Sequence, residues 1–188
     1  MLLFLAPGCG GGGGGEGGAV GSSGAVQSSD GGGEGIALRV LHGSIDAPPL
    51  IVNLDGSEFE RVSYNLETGY RGVSAGGHQL SVFIDSETPQ LLTEVAATFQ
   101  EGKEYTLLLS GRTRNGQLSA RVFEETPVKP AEGSASAQIF NAFESSGAVS
   151  LEFGGASSEG VSPGGKSDLF TIPAVSYTHL TLPTTPYV

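Results

Sequence analysis

Apolar and polar residues alternate with a period of two through most of residues 36–125, and turn-forming residues interrupt the alternation at short intervals. Ile36, Leu38 and Val40 fall on one side of a first predicted strand, residues 36–42, which ends at Gly43-Ser-Ile-Asp-Ala-Pro-Pro49. Two successive prolines cannot both sit in a central ladder, so residues 43–49 read as a loop or a sheet edge. Further strands are expected at residues 50–54, 59–64, 70–73, 78–84, 105–111 and 118–124. Residues 91–99 place Leu92, Val95, Ala96 and Phe99 at a spacing that also suits a helical turn, but Thr93 and Thr98 favour a strand. Asp55-Gly56 predicts a tight hairpin. Asn115-Gly116 predicts another, of the type I′ kind whose central residues need positive φ.

This density of short strands, about one per ten residues, predicts an all-β fold, an immunoglobulin-like two-sheet β-sandwich spanning residues 36–125. Its expected core is Val40, Leu54, Leu80, Val82, Leu107, Leu109 and Val122. A displacement of 99 positions, which carries Asp46 onto Ser145, also carries the opening of this module onto residues 134–174 without a gap. Few residues are identical, but apolar positions and glycines keep step. Such a period is too long for a solenoid, whose units run to roughly 20–50 residues. The chain therefore reads as tandem copies of one module, the second incomplete, joined by a Pro-containing linker at 126–133. A partial sandwich of about forty residues is near the lower limit for independent folding. Its edges are expected to be disordered or to borrow pairing from the first module.

Both ends call for separate treatment. Residues 175–184 resemble the translation of a transposase end-sequence adapter used to prepare sequencing libraries, so 175–188 are set aside and the second copy is expected to be cut short there. Residues 1–9, an apolar run ending at Cys9, resemble the tail of a bacterial lipoprotein signal, with Pro7 a departure and no basic start. The resemblance implies cleavage before Cys9 and its lipidation. A Gly/Ser-rich tether at 10–35 follows, with a reach of roughly 25–30 Å. Cys9 is the only cysteine, so internal disulfides are excluded and packing alone must hold the modules.

Nine basic against 20 acidic residues give a net charge of −11, and no basic patch is visible. Nucleic acid, whose binding depends on cations neutralising phosphate, is an unexpected partner. No stretch approaches the roughly 20 apolar residues that cross a bilayer as a helix.

Several motifs invite a chemical reading. Residues 160–167 fit the phosphate-loop pattern G-x-x-x-x-G-K-[ST], but Pro163 lies inside the loop and strand-like residues follow where a helix is needed, so no nucleotide is expected. His42, Ser44 and Asp46 could form an acyl-transfer triad, yet neither an oxyanion loop nor a G-x-S-x-G elbow accompanies them. His42 and Asp46 are read instead as residues that hydrogen-bond and fix the Pro-rich loop. Asp46, Asp55 and Asp85 lack the spacing of a calcium loop, and no metal or other cofactor is expected. Tyr64 and Tyr70 could offer a stacking surface but are more often half-buried in strands. The candidate ligand or loop site is therefore His42, Asp46 and Tyr70.

Residues 38–49, with Arg39-Val-Leu-His42 and Asp46-Ala-Pro48, then Val52-Asn-Leu-Asp-Gly56, Gly69-Tyr70, Ala75-Gly76 and Gly102-Lys-Glu-Tyr-Thr106, resemble the domain-of-unknown-function 4397 family. Gly43 and Ile45 depart from its usual Ala and Pro. In the second copy Asn141 stands at the His position and Ser145 at the Asp position. The resemblance implies secreted or surface-anchored modules, often in tandem, with no established activity. Together these readings lead to an expectation: a non-catalytic bacterial cell-envelope protein, held to the membrane through Cys9, serving adhesion, scaffolding or ligand display. A carbohydrate- or peptide-binding module with an extracellular or periplasmic ligand is the alternative, and a hydrolase a distant one.

Overall fold

The strands follow the alternation. In chain order they are β1 (Leu2–Leu5), β2 (Ile36–His42), β3 (Leu50–Leu54), β4 (Ser57–Val62), β5 (Arg71–Val73), β6 (Gly76–Ile84), β7 (Leu91–Phe99), β8 (Glu104–Arg112), β9 (Gln117–Glu125), β10 (Ser134–Phe140), β11 (Glu152–Phe153), β12 (Ala156–Ser157) and β13 (Phe170–Pro173). This computed structural model describes residues 2–5 and 35–173, except 115, 126, 127, 129, 144–146, 154 and 155. Cys9, residues 10–34, Asn115 and residues 175–188 lie outside the described residues, and the expectations for those positions lie there with them. No helix occurs among the described residues, and 91–99 is strand rather than helix.

Residues 36–125 form two four-stranded sheets, ordered β5-β2-β8-β9 and β4-β3-β6-β7, packed as a β-sandwich. Every neighbouring pair is antiparallel except β2 with β8, which run parallel from Ala37↔Glu104 to His42↔Leu109. The sandwich is the expected one. Its connectivity differs from the ABED and CFG sheets of an immunoglobulin constant domain, because lettering β2–β9 as A–H gives DAGH and CBEF.

Side-chain alternation explains the packing. Ile36, Leu38 and Val40 of β2 face inward with Leu107 and Leu109 of β8, against Leu50, Val52, Leu80 and Val82 of the opposite sheet. Of the expected core, Val40, Leu80, Val82, Leu107 and Leu109 are fully enclosed, whereas Leu54 and Val122 pack at its margin. β8 is buried on both faces, which accounts for its nearly continuous apolar sequence. Its Leu108 belongs to a second cluster outside the sandwich, with Leu41, Phe140 and Ala142.

The two predicted hairpins differ. Asp55 and Gly56 have φ of 49° and 82° and join Leu54 to Ser57, a two-residue loop with both central residues left-handed, as type I′ requires. At the second hairpin Arg112 pairs with Gln117 and the Gly116 N–H donates to the Thr113 C=O at 2.9 Å, while the expected Asn115-Gly116 turn rests on Asn115, outside the described residues. An acceptor from elsewhere in the chain, Asp46, sets that loop, as shown below.

Beyond the sandwich, β10 pairs antiparallel with β13, and its other edge is taken by β1. Residues 134–140 thus take an edge strand from residues 2–5 rather than from the first module. The pairing Ile36↔Val73 has its counterpart in Ala135↔Ile172, and the bridge Leu41↔Glu67 in Phe140↔Lys166, each displaced by 99 in both partners. The amide bonds His42 N to Leu66 O (3.0 Å) and Asn141 N to Gly165 O (2.9 Å) stand in the same relation.

Candidate functional site

His42 ends β2 and is fully buried. The Ser44 backbone N–H donates to its Nδ1 at 3.3 Å, so that nitrogen carries no proton, and Nε2–H donates to the Pro48 carbonyl at 3.2 Å. The ring is therefore a neutral clasp across the loop. Burial holds its pKa below the ordinary histidine value, against the opposing pull of the Pro48 carbonyl. Ser44 is equally enclosed, and its hydroxyl donates to the Gly111 carbonyl at 2.9 Å. Asp46 reaches across to the β8–β9 loop, accepting from the Thr113 amide at 2.9 Å and the Arg114 amide at 3.3 Å. Those bonds, the Thr113 amide foremost, hold its carboxyl below the usual range.

The three groups of the tempting triad are thus spent on three separate structural tasks. Histidine meets the serine amide rather than its hydroxyl, so the base–nucleophile contact of a triad is not formed.

Tyr70 joins a different network, on the outer face of sheet β5-β2-β8-β9. Its hydroxyl donates to Glu125 at 2.8 Å, and the Arg39 guanidinium lies 4.8 Å from its ring centre. Arg39 donates to both Glu125 oxygens at 3.2 Å, to Glu67 at 3.2 Å and to Thr106 at 2.9 Å, and the Thr106 hydroxyl donates to Glu125. Burial, reinforced by Glu125 and opposed by Arg39, pushes the Tyr70 hydroxyl and the carboxyls of Glu67 and Glu104 upward. His42 and Asp46 are brought into one loop; Tyr70 is not part of it.

A third cluster was not anticipated from the sequence. His78 on β6 contacts Asp55 through Nδ1 at 2.6 Å and the Ser74 carbonyl through Nε2 at 3.0 Å, and its ring stacks on Phe99 at 5.3 Å. The Ser74 hydroxyl is 3.3 Å from the same Nε2. Asp55 Oδ1 also accepts the Gln79 amide at 2.9 Å, which, with His78, lowers its pKa. A shallow groove of about 460 Å³ opens here between the Asp55 turn and residues 96–98 of edge strand β7. What brings Asp55 to His78 is the register Leu54↔Leu80, a long-range pairing with no local sequence signal.

The remaining candidates are occupied locally. Asp85 accepts from Arg61 at 2.6 Å. Among the described residues no group of three His, Cys, Asp or Glu side chains is arranged to hold a metal. In the phosphate-loop-like segment, Lys166 donates to the Glu124 carbonyl and the Ser167 hydroxyl accepts the Ile139 amide at 3.0 Å, lacing the chain to its neighbours. Tyr64 stands edge-on to the His42 ring at 6.1 Å and remains 42 % exposed.

Fold and loop chemistry define a β-sandwich module whose signature residues brace its connecting loops. The chain belongs to the family described as Domain of unknown function (DUF4397), whose model matches residues 37–152. That match covers the sandwich and runs on through β10. No curated protein matches the chain.

Proposed function

We propose that this is a non-catalytic bacterial cell-envelope protein, lipid-anchored at Cys9, that presents β-sandwich modules for adhesion, scaffolding or ligand display. The observation that carries the reading is the full commitment of His42, Ser44 and Asp46 to loop-bracing hydrogen bonds. The most chemically equipped segment of the module supplies rigidity rather than turnover. Residues 134–173 are read as the opening of a second copy, supported by the strand register repeated 99 positions on. Cleavage before Cys9 removes Leu2–Leu5, and with it the strand paired to the free edge of β10.

A second reading, binding of a carbohydrate or an extended peptide, is favoured by the groove beside β7, whose outer edge pairs with no further strand among the described residues and so suits strand addition. Expression in a bacterial host with metabolic acyl labelling tests the anchor. Label on the parent and its loss, with release from membranes, in Cys9→Ser is the expected result; a Cys9→Ser protein that stays membrane-bound refutes it. Glycan and peptide arrays probed with the parent and with His78→Ala separate display from binding. Array signal lost in that variant at unchanged melting temperature would establish the groove as a site.

A further inference from the structure

The segment that follows the sandwich does not trail away from it. Leu41 and Leu108, on the outer face of sheet β5-β2-β8-β9, share a buried cluster with Phe140 and Ala142, and Phe123 packs on Phe140 with ring centres 5.9 Å apart. At the rim, Arg121 donates to the Gly164 carbonyl at 3.2 Å and Lys166 to the Glu124 carbonyl. The positions that meet at the centre are matched ones. Gly43 and Ala142 differ by 99, and a Cβ added to Gly43 would lie 2.2 Å from that of Ala142. Leu41 and Phe140 also differ by 99, and both are fully enclosed in the one cluster. When a position touches its own equivalent in another copy, the copies are related by a two-fold axis passing close to that contact, which is the mark of an isologous interface.

We infer that the outer face of sheet β5-β2-β8-β9 is a self-recognising surface, and that its partner is a sandwich of the same family, met about a quasi-two-fold axis near positions 43 and 142. The inference rests on the reading of residues 134–173 as a second copy. An isologous contact closes on itself, so this face is used up within a pair. Modules then accumulate as pairs and not as one continuous stack. Leu41, Leu108, Phe140 and Ala142 make its centre apolar, Arg39, already paired with Glu125, lies 6.0 Å from the Phe140 ring centre, and the absent side chain of Gly43 fixes the separation of the two backbones.

The contact supplies its own test. Gly43 does not have a left-handed φ, and apart from Ala142 the nearest atom to an added Cβ is the Leu109 carbonyl oxygen at 3.3 Å. In the full chain, Gly43→Ala is expected to open the joint. The radius of gyration from small-angle scattering rises and cleavage by a glutamyl endopeptidase after Glu132, in the linker between the copies, quickens about tenfold, while far-UV circular dichroism is unchanged. Ala142→Leu, which leaves the first sandwich untouched, should open it in the same way. The swap Gly43→Ala with Ala142→Gly moves the one methyl across the axis and should restore both readouts. The proposal is overturned if Gly43→Ala and Ala142→Leu both behave as the parent, or if the swap stays as open as the single variant. A parent whose β10 and β13 amides exchange freely beside a protected sandwich overturns the joint at its root, because the truncated copy then offers no folded partner, and it does so by a signature that the joint variants do not produce.

Discussion

Replacing His42 tests the bracing role most directly. Truncation to Ala leaves the fully buried Ser44 amide and the part-buried Pro48 carbonyl without their partner. An unsatisfied buried polar group costs about 1–3 kcal/mol. The vacated ring space adds roughly 1–2 kcal/mol, at about 24 cal/mol per Å³ of unfilled volume. The expected loss is about 2–5 kcal/mol, a large part of the roughly 5–15 kcal/mol typical of a domain. His42→Asn should lose less, about 1–3 kcal/mol, because the chain already uses that arrangement: Asn141 Oδ1 accepts the Phe143 amide at 3.1 Å. Urea unfolding followed by tyrosine fluorescence suits a protein with five tyrosines and no tryptophan. The pH dependence adds a second check. Burial depresses the folded pKa of His42, so below about 6.5 the unfolded chain takes up a proton that the folded state resists. Stability is full above that pH and falls as acid brings it toward the folded pKa. Glu67 and Glu104, raised by burial, contribute in the opposite sense, losing stability as pH rises through their folded values. His42→Asn leaves those two in place, so the difference between parent and variant isolates the imidazole. A loss below about 1 kcal/mol in His42→Ala, or identical pH profiles for parent and His42→Asn, would refute the reasoning.

Two more outcomes follow from the same geometry. Asp46→Ala should speed hydrogen exchange at the Thr113 and Arg114 amides while leaving the β3–β4 hairpin protected; unchanged exchange at both amides would show that the β8–β9 loop holds itself. Arg39→Ala strands Glu125 beside Glu67 and should cost on the order of 3 kcal/mol, as breaking a largely buried pair does, with Arg39→Lys recovering only part because the three N–H groups of an ammonium radiate from one nitrogen and cannot span Glu67, Glu125 and Thr106 as the planar guanidinium does. A melting curve of Arg39→Ala that overlays the parent's would contradict this.

The period-two pattern made the sandwich legible because each strand of its core exposes one apolar face, and inward positions such as Val40, Leu80 and Leu107 can be read by parity alone. Parity fails for β8. Leu108 is apolar because a second body covers it, and nothing local distinguishes it from Leu107 or Leu109. Asp55-Gly56 was legible as a turn because both residues tolerate positive φ. The anchoring of the β8–β9 loop was not, since its acceptor, Asp46, lies 67 residues from Thr113. His42 and Asp46 were legible as loop residues from their place beside two prolines. Tyr70 was grouped with them as a stacking residue, and the sheet order carries it instead to Glu125. Gly43 stood out only as a departure from the family's alanine; the methyl of Ala142 gives that departure a physical reason.

The parallel alignment of β2 with β8 has a consequence for how the protein comes into being. The two strands are about sixty residues apart in the chain, and no hairpin can join them. As the polypeptide emerges from the ribosome, its opening strand waits for its central partner until the end of β8, at Arg112, has appeared. Pairing the two closes a long loop, which slows folding. A sheet whose middle is completed that late leaves most of the module unable to settle until nearly all of it has been synthesised.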